Sequence, residues 1–325
     1  MKKISPGTKQ ALKIGLSILL LFLLFRMVDW QKAQGIVRQA SPLYLLLAVA
    51  LLTVERAVSV LKWLVLLRVK GSVISFWRLF LINYIGGFWS LFAPSSVSAD
   101  IIRGYYLSKK TADISLTISS IVVDHILSLF GLILVGATGA YFFGDKLGLE
   151  HHRLYMGIIM ALMIAGFIAI QNRAFMDLVN RIFIRRITIR NMNQHLEKWF
   201  QACVDYGKFP VTLLFSFSLS ILVQAIRVVI FYVVALGFDV NVSVVYYFMF
   251  VPVVNMAIML PVFNGIGVRE ACFVAFAKYV GIDRDVALVV SSAVSLVTTL
   301  TTALGGIIYL FDRDIGKPEK ETKDS

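Results

Sequence analysis

Leu91-Phe-Ala-Pro94-Ser-Ser-Val-Ser-Ala-Asp100-Ile-Ile-Arg103 and Met259-Leu-Pro261-Val-Phe-Asn264-Gly265-Ile-Gly267-Val-Arg269-Glu270 are the two stretches whose reading decides the fold. Each follows an apolar run of about the length needed to cross or enter a bilayer. Each then carries a proline, a flexible turn and charged side chains before the next hydrophobic segment. Interrupted helix and charge at membrane depth are costly and survive mainly where they line a cavity or pathway. Two copies of one such motif predict a two-fold, transporter-like architecture.

Working outward, the composition agrees. The chain has 325 residues, of which 58% are hydrophobic, and a mean hydropathy of +0.81, far more apolar than a soluble domain. The expected fold class is all-α: a polytopic integral membrane protein with about six spanning helices, two broken or re-entrant segments and an inverted repeat. No segment is long and polar enough for a soluble catalytic domain. The net charge of +13 is read as topology-setting Lys and Arg that meet anionic headgroups, not as a nucleic-acid surface. Cys203 and Cys272 form no metal or redox spacing, so no metal and no cofactor is expected.

Spanning helices are predicted at about 12–28, 43–67, 115–142, 154–171, 210–236 and 285–311. The first follows Lys2, Lys3, Lys9 and Lys13 and no small-residue cleavage site comes after it, so it is read as an uncleaved first span. Between the spans lie two special runs, 74–93 and 242–260. Each has a helix breaker near its middle, Gly86-Gly87 in one and Pro252 in the other, which predicts a half-helix in, a break and a half-helix out. Residue 43 precedes Pro94 by 51 positions, and residue 210 precedes Pro261 by 51. The chain is therefore read as one membrane domain, 1–325, with repeat one at about 12–142 and repeat two at about 154–311. The linker 172–209, with Arg173, Arg181, Arg185, Arg186, Arg190, Lys198 and Lys208, is expected in the cytoplasm of a cell (inner) membrane protein with both termini inside. Three crossings per copy make the repeats inverted, a recurring transporter design.

Several charges need an explanation at that depth. Glu55-Arg56 sits near the middle of helix 43–67, and adjacent residues on a helix point about 100° apart, so they make a poor pair with each other. Gln224 and Arg227, one turn apart, occupy a similar place in helix 210–236 and are expected to face inward together. Asp124-His125 lies within helix 115–142 and reads as a proton relay or as an interhelical hydrogen bond. These six form a candidate intramembrane polar pathway. Glu150-His151-His152 reads as a solvated external loop. Arg103 and Arg269 are the leading substrate-binding candidates, because the guanidinium fork grips phosphate or carboxylate bidentately. Asp100 and Glu270 accompany them, with Asn264, Gly265 and Gly267 in the second turn; the glycines let backbone amides approach an anion closely.

Pro94 through Arg103, with Tyr105-Tyr106-Leu107, resembles the Pro-Gly-x-x-Gly-Gly-Asp-x-x-Arg-x-Tyr pattern of a bacterial and archaeal membrane family. Pro261 to Glu270 resembles that family's Pro-x-x-Gly-Gly-x-Gly-x-Arg-Glu motif, and Gly281-Ile282 with Ala287-Leu288 its continuation. This is the lysylphosphatidylglycerol synthase transmembrane, or flippase-like, family. The chain departs from it at Ser95, Ser98 and Ala99, at Asn264, and at Asp124-His125, where many members look like Glu-Arg. Full-length synthases carry a soluble aminoacyl-transfer domain after the membrane part. The resemblance thus implies a stand-alone member that is not an enzyme and moves or presents a phospholipid or other anionic lipid between leaflets. No Gly-x-x-x-x-Gly-Lys-Ser/Thr motif is present, so movement without ATP hydrolysis is expected. The alternatives are a non-transporting membrane partner of a glycosyltransferase or lipid-modifying enzyme, and a membrane transferase for which Asp100 is the clearest catalytic candidate.

Overall fold

The computed structural model describes residues 31, 35, 38, 40–92, 97–111, 113–147, 151–172, 175, 178, 182, 193–258 and 268–311. The expected first span, most of the basic linker, the two proline turns (Pro94 and Pro261, with Asn264, Gly265 and Gly267) and the C-terminal tail lie outside the described residues. Within them the secondary structure is helical: α1 (Pro42–Arg68), α2 (Phe76–Ser90), α3 (Val97–Thr111), α4 (Ile114–Phe143), α5 (His152–Gln171), α6 (Asn193–Val204), α7 (Pro210–Leu236), α8 (Val244–Ile258), α9 (Val268–Ala277) and α10 (Arg284–Phe311). The chain is a polytopic all-α membrane protein. Helices α1, α4, α5, α7 and α10 are each long and apolar enough to cross a membrane.

Local chemistry sets several of these boundaries. Proline opens α1 and α7, where its missing N–H would have lacked an intrahelical partner in any case. Ser75 caps α2 by accepting from the Arg78 backbone N–H. Asp113 caps α4 by accepting from the Leu116 N–H at 2.9 Å. Leucines, isoleucines and valines of α1, α5 and α7, among them Leu43, Leu46, Leu162, Ile164, Val211 and Leu214, are left exposed on the outside of the bundle, as a lipid-facing surface requires.

Helices α2 and α8 have 15 residues each, a rise of about 22 Å against a hydrocarbon core of about 30 Å. α2 packs beside α3, and α8 beside α9. The interruption expected inside each special run is not there. α2 continues through Gly86-Gly87 and α8 through Pro252, and each helix ends only at the edge of its proline motif. The glycines serve packing. A Cβ on Gly86 would come within 2.6 Å of Arg103 Cγ, and one on Gly87 within 3.1 Å of an Arg56 guanidinium nitrogen. Pro252 is accommodated because Gly136 of α4 lies against its ring, where an added Cβ would sit 3.0 Å from the Pro252 Cβ.

The helices pair in an exchanged order. α1 runs against α7; α2 packs on α10; α8 packs on α4. Small residues permit both cross-contacts. Gly305 and Gly306 of α10 receive Tyr84 and Phe88 of α2, and Gly139 of α4 receives the backbone of Phe248 on α8. Two apolar clusters flank the middle of the bundle. One gathers Val60, Trp63, Leu67, Leu79, Ile82 and Leu107 of α1–α3. The other gathers Phe231, Tyr247, Phe250, Phe273 and Val294 of α7–α10. The amphipathic α6 lies outside the spans, and Tyr206 just after it donates to the Leu66 carbonyl at 3.1 Å, tying this segment to the end of α1.

Candidate functional site: a cationic cavity within the bundle

A cavity of about 420 Å³ occupies the middle of the bundle, with walls from α1, α2, α3, α4, α7, α8, α9 and α10. Its position follows from the exchanged packing, since apolar contacts fill the clusters on either side and the polar side chains of facing helices meet between them. All six residues of the expected pathway line it: Glu55, Arg56, Asp124, His125, Gln224 and Arg227. Arg103 and Arg269 line it too. Side chains read separately along 200 residues of sequence thus share one chamber.

Their pairing differs from sequence adjacency. Glu55 is bonded to Arg227 across the α1–α7 contact, with Arg227 Nε and one terminal nitrogen at 2.8 and 2.7 Å from the same carboxylate oxygen. Arg56 turns the other way, donating to Thr302 on α10 and lying 4.5 Å from the centre of the Tyr84 ring. Asp124 and His125 also part company. Asp124 Oδ1 meets Lys62 Nζ at 3.0 Å, while His125 Nδ1 lies 3.5 Å from Asp100 Oδ2.

Asp100 does not line the cavity; it holds Arg103 by an ion pair within α3, and the Arg103 guanidinium stands 5.1 Å from the Trp63 ring. Glu270 likewise stands behind Arg269. Ser295 of α10 accepts from Arg269 at 3.0 Å and donates to Glu270 Oε1 at 2.6 Å, so one hydroxyl positions both. The acids of the two motifs are therefore placed to orient arginines.

Lys62 was not among the expected site residues. It is 2% exposed and donates to Ser128 and to the Asp124 carbonyl in addition to its ion pair. Asn83, Asn255 and Thr298 also contribute polar wall. The cavity wall thus carries five basic side chains (Arg56, Lys62, Arg103, Arg227, Arg269) against two carboxylates, Glu55 and Asp124. Among the described residues no group of three His, Cys, Asp or Glu could hold a metal ion. His152 departs from the solvated loop expected of it: it is buried at the start of α5, packed on Gly144, with Nε2 3.7 Å from Asp145.

With this geometry in place, the comparison with known families is decisive: residues 10–306 match the model of the lysylphosphatidylglycerol synthase TM region. The chain belongs to the lysylphosphatidylglycerol synthase transmembrane family. No curated protein matches it. The family places this membrane protein in lipid modification or translocation, and its match covers every residue that lines the cavity. In this family member, the arginines of both motifs face one chamber.

Proposed function

We propose that this family member translocates an anionic lipid between leaflets without ATP hydrolysis, taking the headgroup through the central cavity. The carrying observation is the excess of basic side chains over carboxylates in a chamber walled by both halves of the bundle. Unpaired charge inside a bilayer is expensive and marks a substrate pathway. Arg56 and Arg269 bond only to hydroxyls and hold no carboxylate within salt-bridge distance among the described residues. A phosphate entering the chamber would give either arginine an anionic partner. A chamber of about 420 Å³ suits a headgroup-sized ligand, leaving acyl chains in the surrounding lipid.

The exchanged packing of α2 on α10 and α8 on α4 supports an inverted repeat, α1–α4 and α7–α10, whose halves rock about the site. The basic linker and tail support cytoplasmic termini. Glu55–Arg227 couples α1 to α7, and Arg56 with Thr302 couples α1 to α10. Bonds between facing elements are the ones that must exchange when access switches sides, and a headgroup phosphate is a competing partner for each arginine.

Occupancy of the chamber is tested by labelling a single cysteine in its wall. In a protein carrying Ser59→Cys with Cys203→Ser and Cys272→Ser, phosphatidylglycerol in mixed micelles is expected to slow labelling by a small maleimide. Phosphatidylcholine is expected to leave it unchanged. Equal protection by both lipids would remove the basis for an anionic substrate.

A further inference from the structure

Three ionisable side chains meet where α3 packs on α4, and they share one carboxylate. Asp100 holds Arg103 through Oδ1 and faces His125 Nδ1 through Oδ2, at 3.5 Å. Its two partners differ in kind: the arginine keeps its charge, while a histidine gains and loses one near neutral pH. His125 lines the chamber with its side chain 40% exposed, so protons can reach it. Arg103 lines the chamber too, and its Nε is buried without a hydrogen-bond partner among the described residues, a donor open to an entering anion.

The surroundings decide what a proton on His125 does. Of the other elements packed on α4, α1 presents Lys62, paired with Asp124 beside His125, and α7 presents Arg227, paired with Glu55. α8 carries no charged side chain, and those of α5 and α6 do not line the chamber. Arg56 and Arg269 complete its charged wall. An imidazolium at His125 therefore adds positive charge to a basic chamber and competes with Arg103 for Asp100. An anion relieves both effects: it offsets the added charge, and it takes the guanidinium donors that Asp100 gives up. Proton and anion each favour the other's binding, and linkage makes that effect reciprocal.

We infer that His125 is a proton-binding site coupled through Asp100 to Arg103, so that an anionic headgroup and a proton occupy the chamber together. This rests on the anionic substrate proposed above. It makes the proton a co-substrate, and a proton gradient the force that drives lipid movement without ATP. One added charge-assisted hydrogen bond from Arg103 corresponds to about tenfold in affinity.

The test is binding of acyl-labelled fluorescent phosphatidylglycerol to the purified full chain in mixed micelles, at about pH 5.5 and about pH 8, on either side of histidine titration. Its phosphodiester keeps one negative charge across this range, so a change with pH reports on the protein. Wild type is expected to bind about tenfold tighter at the lower pH. In weak buffer near neutral pH it should also take up protons as lipid binds, read with an indicator dye. His125→Gln is expected to bind weakly at both pH values and His125→Arg tightly at both, neither with proton uptake. In proteoliposomes an acid-outside gradient should speed inward movement of the same lipid in wild type and leave His125→Arg unaffected. Arg269-dependent binding that ignores pH, with no proton uptake, would overturn the proton site and leave the anionic site standing. A pH dependence that persists in both His125 variants would overturn the assignment to His125, and a gradient without effect on wild type would overturn the coupling to movement. Binding no tighter than that of labelled phosphatidylcholine at either pH would remove the anionic reading and this inference with it.

Discussion

Replacing Lys62 by methionine tests whether the buried charges are arranged as described. Lys62 is 2% exposed, and its ammonium is 3.0 Å from Asp124 Oδ1, with Ser128 and the Asp124 carbonyl as further acceptors. Lys62→Met keeps most of the stem but strands a carboxylate whose side chain is 8% exposed. Breaking a buried pair from one side costs about 3–5 kcal/mol, whereas replacing both partners by apolar groups is often close to neutral. At roughly 2–4 °C per kcal/mol for a chain of comparable size, the single substitution lowers the unfolding temperature by on the order of 10 °C. Lys62→Met with Asp124→Leu recovers most of that loss. The assay is thermal unfolding in detergent, followed by size-exclusion monodispersity after heating. A double variant as unstable as the sum of the two singles would refute the pairing, as would a single variant within about 1 kcal/mol of wild type.

Gly305→Ala places a methyl against the Tyr84 carbonyl, a backbone atom that cannot swing aside. A cost of about 1–3 kcal/mol is expected, against no loss for Gly157→Ala, whose added carbon meets nothing within 4 Å; thermal unfolding of the two variants separates them. Tyr206→Phe removes the hydrogen bond to the Leu66 carbonyl and should cost about 1 kcal/mol, read as earlier proteolysis around α6 without change in lipid binding. Burial in α6 pushes the Cys203 thiol up to about 11, because desolvation disfavours the thiolate. At pH 8 only about one molecule in a thousand is then reactive, against about one in four for an ordinary thiol. Alkylation of a Cys272→Ser protein should therefore keep accelerating to about pH 11, and a plateau near pH 9 would contradict the burial.

Much of the chamber was legible in sequence because charge inside an apolar helix is rare and hard to explain otherwise. Glu55, Arg56, Asp124, His125, Gln224 and Arg227 stood out for that reason, and all six face the cavity. Their partners were not legible. Glu55 and Arg227 are 172 residues apart in sequence, and only the packing of α1 on α7 brings them together. Lys62 escaped notice because a lysine near the end of an apolar helix reads as one that snorkels to the interface; nothing in the local sequence reveals that Asp124 waits opposite. Gly86-Gly87 and Pro252 were misread as breakers because glycine and proline interrupt helices in water. In a membrane bundle the same residues permit close approach, here of Arg103 and Arg56 to α2 and of α4 to α8.

The central claim is that an anionic headgroup crosses the membrane through this chamber. Proteoliposomes containing acyl-labelled fluorescent phosphatidylglycerol, quenched from outside by dithionite, test it directly. Wild type is expected to carry quenching past the outer-leaflet half toward completion, with labelled phosphatidylethanolamine lagging behind. Arg269→Gln and Arg103→Gln, each monodisperse, should stop at the outer-leaflet half. Wild type that stops where empty liposomes stop would contradict the account, and so would arginine variants that translocate as fast as wild type.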